Sequence, residues 1–227
     1  NITSRILANL GFAVFDLNYG SIRTNNFGNN YTGYFISDII RQIGYFTQYL
    51  AANKYEYRTD LSQTYFMGRH LGGGLALLCG FGYNSTLSHL FSSELRVKGI
   101  IPLYPISDIG GSNTGWAESI RTQGYTILNG SSFANSPDYN KAWNLYNPIN
   151  YSNMSNSLAP VFLITGTHDI LIPIRYTENF VSKMRENGRT IIFGKYLLRS
   201  DGFDGNHESP YGQSILFYLS RFLFLNL

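Results

Sequence analysis

The chain of 227 residues is 44% hydrophobic, 16% aromatic and 14% charged, which supplies apolar surface for one core and excludes a charge-rich disordered chain. Its 17 Lys and Arg against 14 Asp and Glu leave a net charge of +3, scattered without the basic run that tracks a phosphate backbone, so no nucleic-acid partner is expected. The single cysteine, Cys79, rules out an internal disulfide framework and a cysteine-based four-ligand zinc site.

The first ten residues read as a helix. Phe12 to Tyr19 (FAVFDLNY), preceded by Gly11, is a short run of aromatic and branched residues that predicts a strand covered on both faces. From Tyr34 to Leu50, Ile36, Ile39, Ile40, Ile43, Phe46 and Leu50 recur at spacings of three and four and predict an amphipathic helix. Thr64 to Met67 reads as a short strand ending in a glycine-laced turn, and Leu75, Leu77, Leu78 and Phe81 as a buried helix holding Cys79 as a small core residue. Val97 to Tyr104 is the next strand. Residues 105–151 form a long insertion rich in Gly, Ser, Asn and Pro, of the kind that serves as a lid or binding segment. Pro160 to Thr165 predicts a strand, Tyr176 to Glu186 a helix, Ile191 to Leu198 a strand, residues 200–211 a polar loop, and Gln213 to Phe224 the final helix. This alternation predicts one domain over residues 1–227: a three-layer α/β fold with a mostly parallel sheet and ligands at the carboxyl ends of its strands.

No membrane span is expected, because the apolar tail Ile215 to Leu227 is shorter than the ~20 residues a spanning helix needs and carries Arg221. Asn-x-Ser/Thr triplets at Asn1, Asn30, Asn84, Asn129, Asn150 and Asn153 lean towards a secretory route.

Chemistry concentrates at the turn after Met67. Gly68, His70 and Gly72 have the spacing of a G-x-S-x-G nucleophile elbow with histidine in place of serine. A sharp turn of this kind demands glycine where a side chain at 68 or 72 would collide with the neighbouring strand and helix. The glycines at 72 to 74 have neither the lysine of a P-loop nor the spacing of a dinucleotide site.

With these motifs the chain resembles the α/β-hydrolase superfamily, in its carboxylesterase-like branch of hormone-sensitive-lipase, feruloyl-esterase and kynurenine-formamidase types. Gly11 to Tyr19 is similar to a strand ending in a D-Y-R-like motif, and Ser37-Asp38 to the D-x-x-x-A helix start. Gly68 to Leu75 (GRHLGGGL) resembles G-x-S-A-G-G-x-L, Tyr104 to Asp108 Y-P-x-x-D, Gly166 to Pro173 (GTHDILIP) G-x-x-D-x-x-V-P, and Ser200 to Asp204 (SDGFD) the H-G-F-D segment.

The resemblance makes Asp169 the triad acid and puts Asp201 where the triad histidine belongs. It assigns the backbone N–H of Leu71 to the oxyanion hole, beside donors from an H-G-G-G loop that would precede residue 1. With elbow serine and triad histidine both replaced, the expected role is that of a catalytically impaired hydrolase. Such a chain binds a small molecule in the former acyl pocket under the 105–151 insertion, or a protein partner on its surface. His70 is then a hydrogen-bond partner of Asp201. The alternative is a working ester or amide hydrolase that uses His70 as nucleophile, or His207 brought towards Asp169. His168 reads as a turn residue pointing away from Asp169. A divalent ion on His70, Asp169 and Asp201 is conceivable, but the family uses none, and neither metal nor cofactor is expected.

Overall fold

A computed structural model describes residues 2–20, 24–26, 30–32, 34–109, 144–153, 159–200, 202–203, 206 and 208–226. Helix α1 spans Ile2–Asn9, and a two-stranded antiparallel ribbon pairs β1 (Thr24–Asn26) with β2 (Asn30–Thr32). There follow α2 (Ile36–Ala52), α3 (Lys54–Tyr57), β3 (Thr64–Arg69), α4 (Leu71–Gly82), β4 (Val97–Leu103), β5 (Val161–Gly166), α5 (Ile174–Glu186), β6 (Ile191–Tyr196) and α6 (Pro210–Leu225).

Strands β3 to β6 form a parallel sheet in the order β3-β4-β5-β6. Parallel strands need cover on both faces, and the period-two alternation of side chains provides for it. Ile100, Val161 and Leu163 face one core, with Ile39 and Ile40 of α2, Leu75 to Phe81 of α4, and Phe180, Val181 and Met184 of α5. Their sequence neighbours Ile101, Phe162 and Ile164 face a second core closed by Ile215, Leu219, Phe222 and Leu223 of α6, with Leu7 of α1 packed against it. Helix, sheet and helix make the three expected layers. On the second face α6 approaches closely: a Cβ on Gly99 would sit 2.8 Å from the Phe222 ring.

Most predicted elements stand where their periodicity puts them, with bounds moved by a few residues. The Phe12 to Tyr19 expectation is corrected. Among the described residues this segment joins no ladder, and Ala13, Phe15, Asp16, Leu17 and Asn18 are exposed. Its aromatic residues pack ring on ring instead: Phe12 on Tyr65 and Phe224 at 6.0 and 6.4 Å, Phe15 on Phe46 and Tyr57 at 5.4 and 6.1 Å. The apolar content that suggested a doubly covered strand thus reports contacts with α2, α3, β3 and α6. The short β1–β2 ribbon was absent from the sequence reading because its Asn-rich residues have weak strand propensity.

Of the insertion, 110–143 lies outside the described residues. Its two ends are clasped. The buried Asn147 side chain donates from Nδ2 to Asp108 Oδ1 (2.9 Å) and accepts the Ile109 N–H on Oδ1 (3.1 Å).

Phe222→Ala removes a ring that contacts Phe162 at 5.6 Å and covers Gly99; urea unfolding is expected to show a loss of about 3–5 kcal/mol.

Candidate functional site

The site begins with a backbone constraint. Strand β3 ends at Arg69 and α4 starts at Leu71, so the single residue His70 makes the whole turn. Its φ of +50° and ψ of −115° fall near the first central position of a type II′ turn, which glycine normally takes. Such a conformation costs of order 1–3 kcal/mol in a residue with a Cβ. Its neighbours hold it: the His70 N–H donates to Leu103 O (3.0 Å), and its carbonyl accepts the N–H groups of Gly73 (3.0 Å) and Gly74 (3.2 Å).

The glycines divide in a way that corrects the sequence reading. A Cβ on Gly68 would run into the Gly72 carbonyl, one on Gly73 would press on Pro105 at 3.0 Å, and one on Gly74 on the Ile106 carbonyl at 2.9 Å. A Cβ on Gly72 would meet only the Tyr19 hydroxyl, at 3.7 Å. Gly72 therefore faces space, and the collision expected at 68 or 72 occurs at 68 alone. The tight third glycine is Gly73, because α4 leans on the 104–109 strip through that residue and Gly74.

The histidine side chain is partly buried, and its Nε2 is enclosed without a hydrogen-bond partner among the described residues. Leaving such an atom unsatisfied costs about 1–3 kcal/mol. The Leu71 N–H lies in the first turn of α4, where amides have no intrahelical acceptor.

Asp169 follows β5, at the same edge of the sheet. β3 and β5 are two strand spacings apart, about 10 Å. Asp169 is 5% exposed, and its Oδ1 accepts the N–H groups of Leu171 (2.9 Å) and Ile172 (2.8 Å), which fix it on its own turn. His168 beside it is exposed, with Nδ1 3.0 Å from Thr167 Oγ1.

Asp201 and His207 lie outside the described residues, as does any contact of His70 or a metal ion with Asp201. The residues flanking Asp201 are placed. Arg199 O accepts the His168 N–H at 2.8 Å, and the Phe203 ring stands 5.9 Å from Tyr104 and 5.0 Å from Tyr196. Arg199 and Phe203, which follow β6, thus lie against the residues that leave β5 and β4. Cys79 is buried in α4, and burial pushes its thiol pKa far up, which fits a core residue.

Two features escaped the sequence reading. Tyr19 stands at the elbow, half-buried against the first core, and Asn147 clasps Asp108. Tyr19 lay in a segment read as a strand, and Asn147 in an Asn-rich stretch where no single amide stands out. A cavity of about 560 Å³ opens at the amino ends of the strands, lined by Gln63, Arg96, Lys98 and Pro160, away from the elbow. No described helix is long and apolar enough to cross a membrane.

A strained residue between a parallel strand and a buried helix, with an acid two strands away in a three-layer sheet, defines the α/β-hydrolase fold. The chain belongs to the BD-FAE family, whose model matches residues 1–184. Nothing among curated protein sequences matches it. Among solved structures it is similar to esterase B of Lactobacillus rhamnosis, with a TM-score of 0.69 at 15% identity over 84% of this chain and 61% of that one. It is likewise similar to a sugar hydrolase from Lactococcus lactis, with a TM-score of 0.60 at 18% identity over 87% of this chain and 71% of that one. A carboxylesterase from Lactobacillus plantarum gives 0.58 at 16% identity over 81% of this chain and 67% of that one. At these identities the likeness shows the fold, and the chain spans about three fifths of the length of esterase B.

Two substitutions separate the glycines. Gly68→Ala is expected to destabilise severely or prevent folding, because the obstacle is backbone. Gly72→Ala, in the helical first turn with room for a methyl group, is expected to raise stability by about 0.5–1 kcal/mol. Thermal unfolding of the pair checks this ordering.

Proposed function

We propose that the chain is a catalytically impaired member of its family that binds a small ester-like molecule or the acid derived from one. The observation carrying this reading is His70 itself, which occupies the strained elbow position where the family resemblance puts a serine nucleophile. The scaffold that presents the residue is intact, while the hydroxyl that would attack is missing.

Chemistry supports the loss. A serine elbow works because a nearby imidazole removes the hydroxyl proton and then donates it to the leaving group. With imidazole at the elbow and a carboxylate at position 201, neither the oxygen nucleophile nor the shuttle stands in its family place. Asp169 keeps the position of the acid, and its Oδ1 is spent on the Leu171 and Ile172 amides. The esterase and carboxylesterase neighbours suggest a small ester as the ancestral substrate.

The experiment is hydrolysis of p-nitrophenyl butyrate across about pH 5 to 9, a range that takes an imidazole from charged to neutral. Turnover no faster than the buffer reaction is expected throughout. Turnover that disappears in His70→Ala would instead establish a working hydrolase with a histidine nucleophile.

A further inference from the structure

We propose that the cavity at the amino ends of the strands is a second binding site, for an aromatic phosphate monoester held by Arg96 and Lys98. It lies at the opposite edge of the sheet from His70 and Asp169, and it does not rest on the reading above.

The site starts from an irregularity in β4. Val97 pairs with Thr64 and Gly99 with Tyr65, so Lys98 has no opposite residue on β3 and forms a β-bulge. In a regular strand, residues two apart share a face. Here Val97 belongs to the first core, while a Cβ on Gly99 would sit 2.8 Å from the Phe222 ring of the second. A strand covered on both faces has no place for an ammonium group. The bulge gives Lys98 one, and with Arg96 it lines the open cavity of about 560 Å³. That volume suits a small organic molecule.

The charge there is uncompensated. No ion pair among the described residues engages Arg96 or Lys98, and no acidic side chain lines the cavity. Arg96 Nη1 donates to the carbonyls of Ser93 (2.8 Å) and Leu95 (2.7 Å), which steadies the guanidinium while its Nη2 stays uncommitted. Lys98 Nζ makes no hydrogen bond among the described residues. One carboxylate outside the lining feels Lys98: hydrogen bonds from Ser62 lower the Asp60 pKa, and the charges of Lys54 and Lys98 add to them. Glu94 pairs with Lys54 at 2.9 Å. Two cations against one outlying carboxylate leave the cavity positive.

The ligand follows from these groups. A phosphate monoester carries close to two negative charges near neutral pH, where a carboxylate carries one, and guanidinium and ammonium both bind phosphate oxygens. Tyr83, Val97, Ala159 and Pro160 supply apolar wall for a flat ring on the ester side.

The test titrates the whole chain with phenyl phosphate by calorimetry, with benzoate, phenol and inorganic phosphate as comparators. Phenyl phosphate is expected to bind, less tightly as sodium chloride is added, and each comparator to bind at least about fivefold more weakly. Lys98→Gln removes no described hydrogen bond and is expected to weaken phenyl phosphate about tenfold, the worth of a charge-assisted bond, with Tm unchanged. Lys98→Arg keeps the charge and is expected to keep the affinity, which decides the matter should Lys98→Gln fold poorly. Lys183→Gln removes an exposed cation from the last turn of α5 and is expected to leave affinity as it was. Equal losses in Lys98→Gln and Lys183→Gln would show attraction to net charge alone and overturn the proposal. Absence of phenyl phosphate binding overturns it too, as does benzoate or phenol binding as tightly as phenyl phosphate.

Discussion

Everything at the site depends on the contact between Gly68 and the backbone of Gly72. Because no atom stands on Gly68, the first turn of α4 comes back against the end of β3, and one residue can reverse the chain. The His70 N–H to Leu103 O bond then ties that reversal to β4, and the packing of Gly73 and Gly74 on Pro105 and Ile106 ties it to the strip leaving the sheet. The Asn147 side chain extends the linkage by gripping Asp108 and Ile109. A chain of backbone contacts therefore runs from the elbow to the base of the insertion, with few side-chain choices along it.

The parallel sheet gives these contacts their direction. Both exits that matter, at His70 and at Asp169, occur at the carboxyl ends of strands, and Arg199, which follows β6, lies against the residues that leave β5. The strand exits at positions 70, 104 and 169 lie on one edge because parallel strands put all their outgoing turns there, and Phe203 packs on Tyr104 at that edge. Tyr104 likewise has a positive φ, +37°, at its own strand exit.

Where an element's pattern depends on its own residues, the sequence displays it. The isoleucine stripe of α2 and the apolar runs of β4 and β5 fall into that class, since their periodicity directly reflects which faces are covered. The elbow was legible for a different reason, because the Gly68 spacing records a steric requirement. Phe12 to Tyr19 misled because aromatic content cannot distinguish a strand within a ladder from an extended segment packed ring on ring, and only a pairing partner makes the difference. Gly72 misled because its motif position is shared with a tight glycine while its actual surroundings are open. Tyr19 and Asn147 stayed hidden because each lies beside a residue distant in sequence, Gly72 and Asp108 respectively, and tyrosine and asparagine are common in this composition.

The persistence of the elbow and the identity of the residue at its apex have separate physical grounds. A residue at φ +50° loses of order 1–3 kcal/mol to strain, and that cost is borne by surroundings that over-determine it: one amide bond to β4, two from α4, one from Ile106, and the close approach of α4 to Gly68. None of these contacts involves the side chain of residue 70. The turn would therefore form around serine, histidine or alanine alike, and its retention is evidence about packing. What the site does therefore rests on the side chain that the turn presents, and the turn itself carries no information about it.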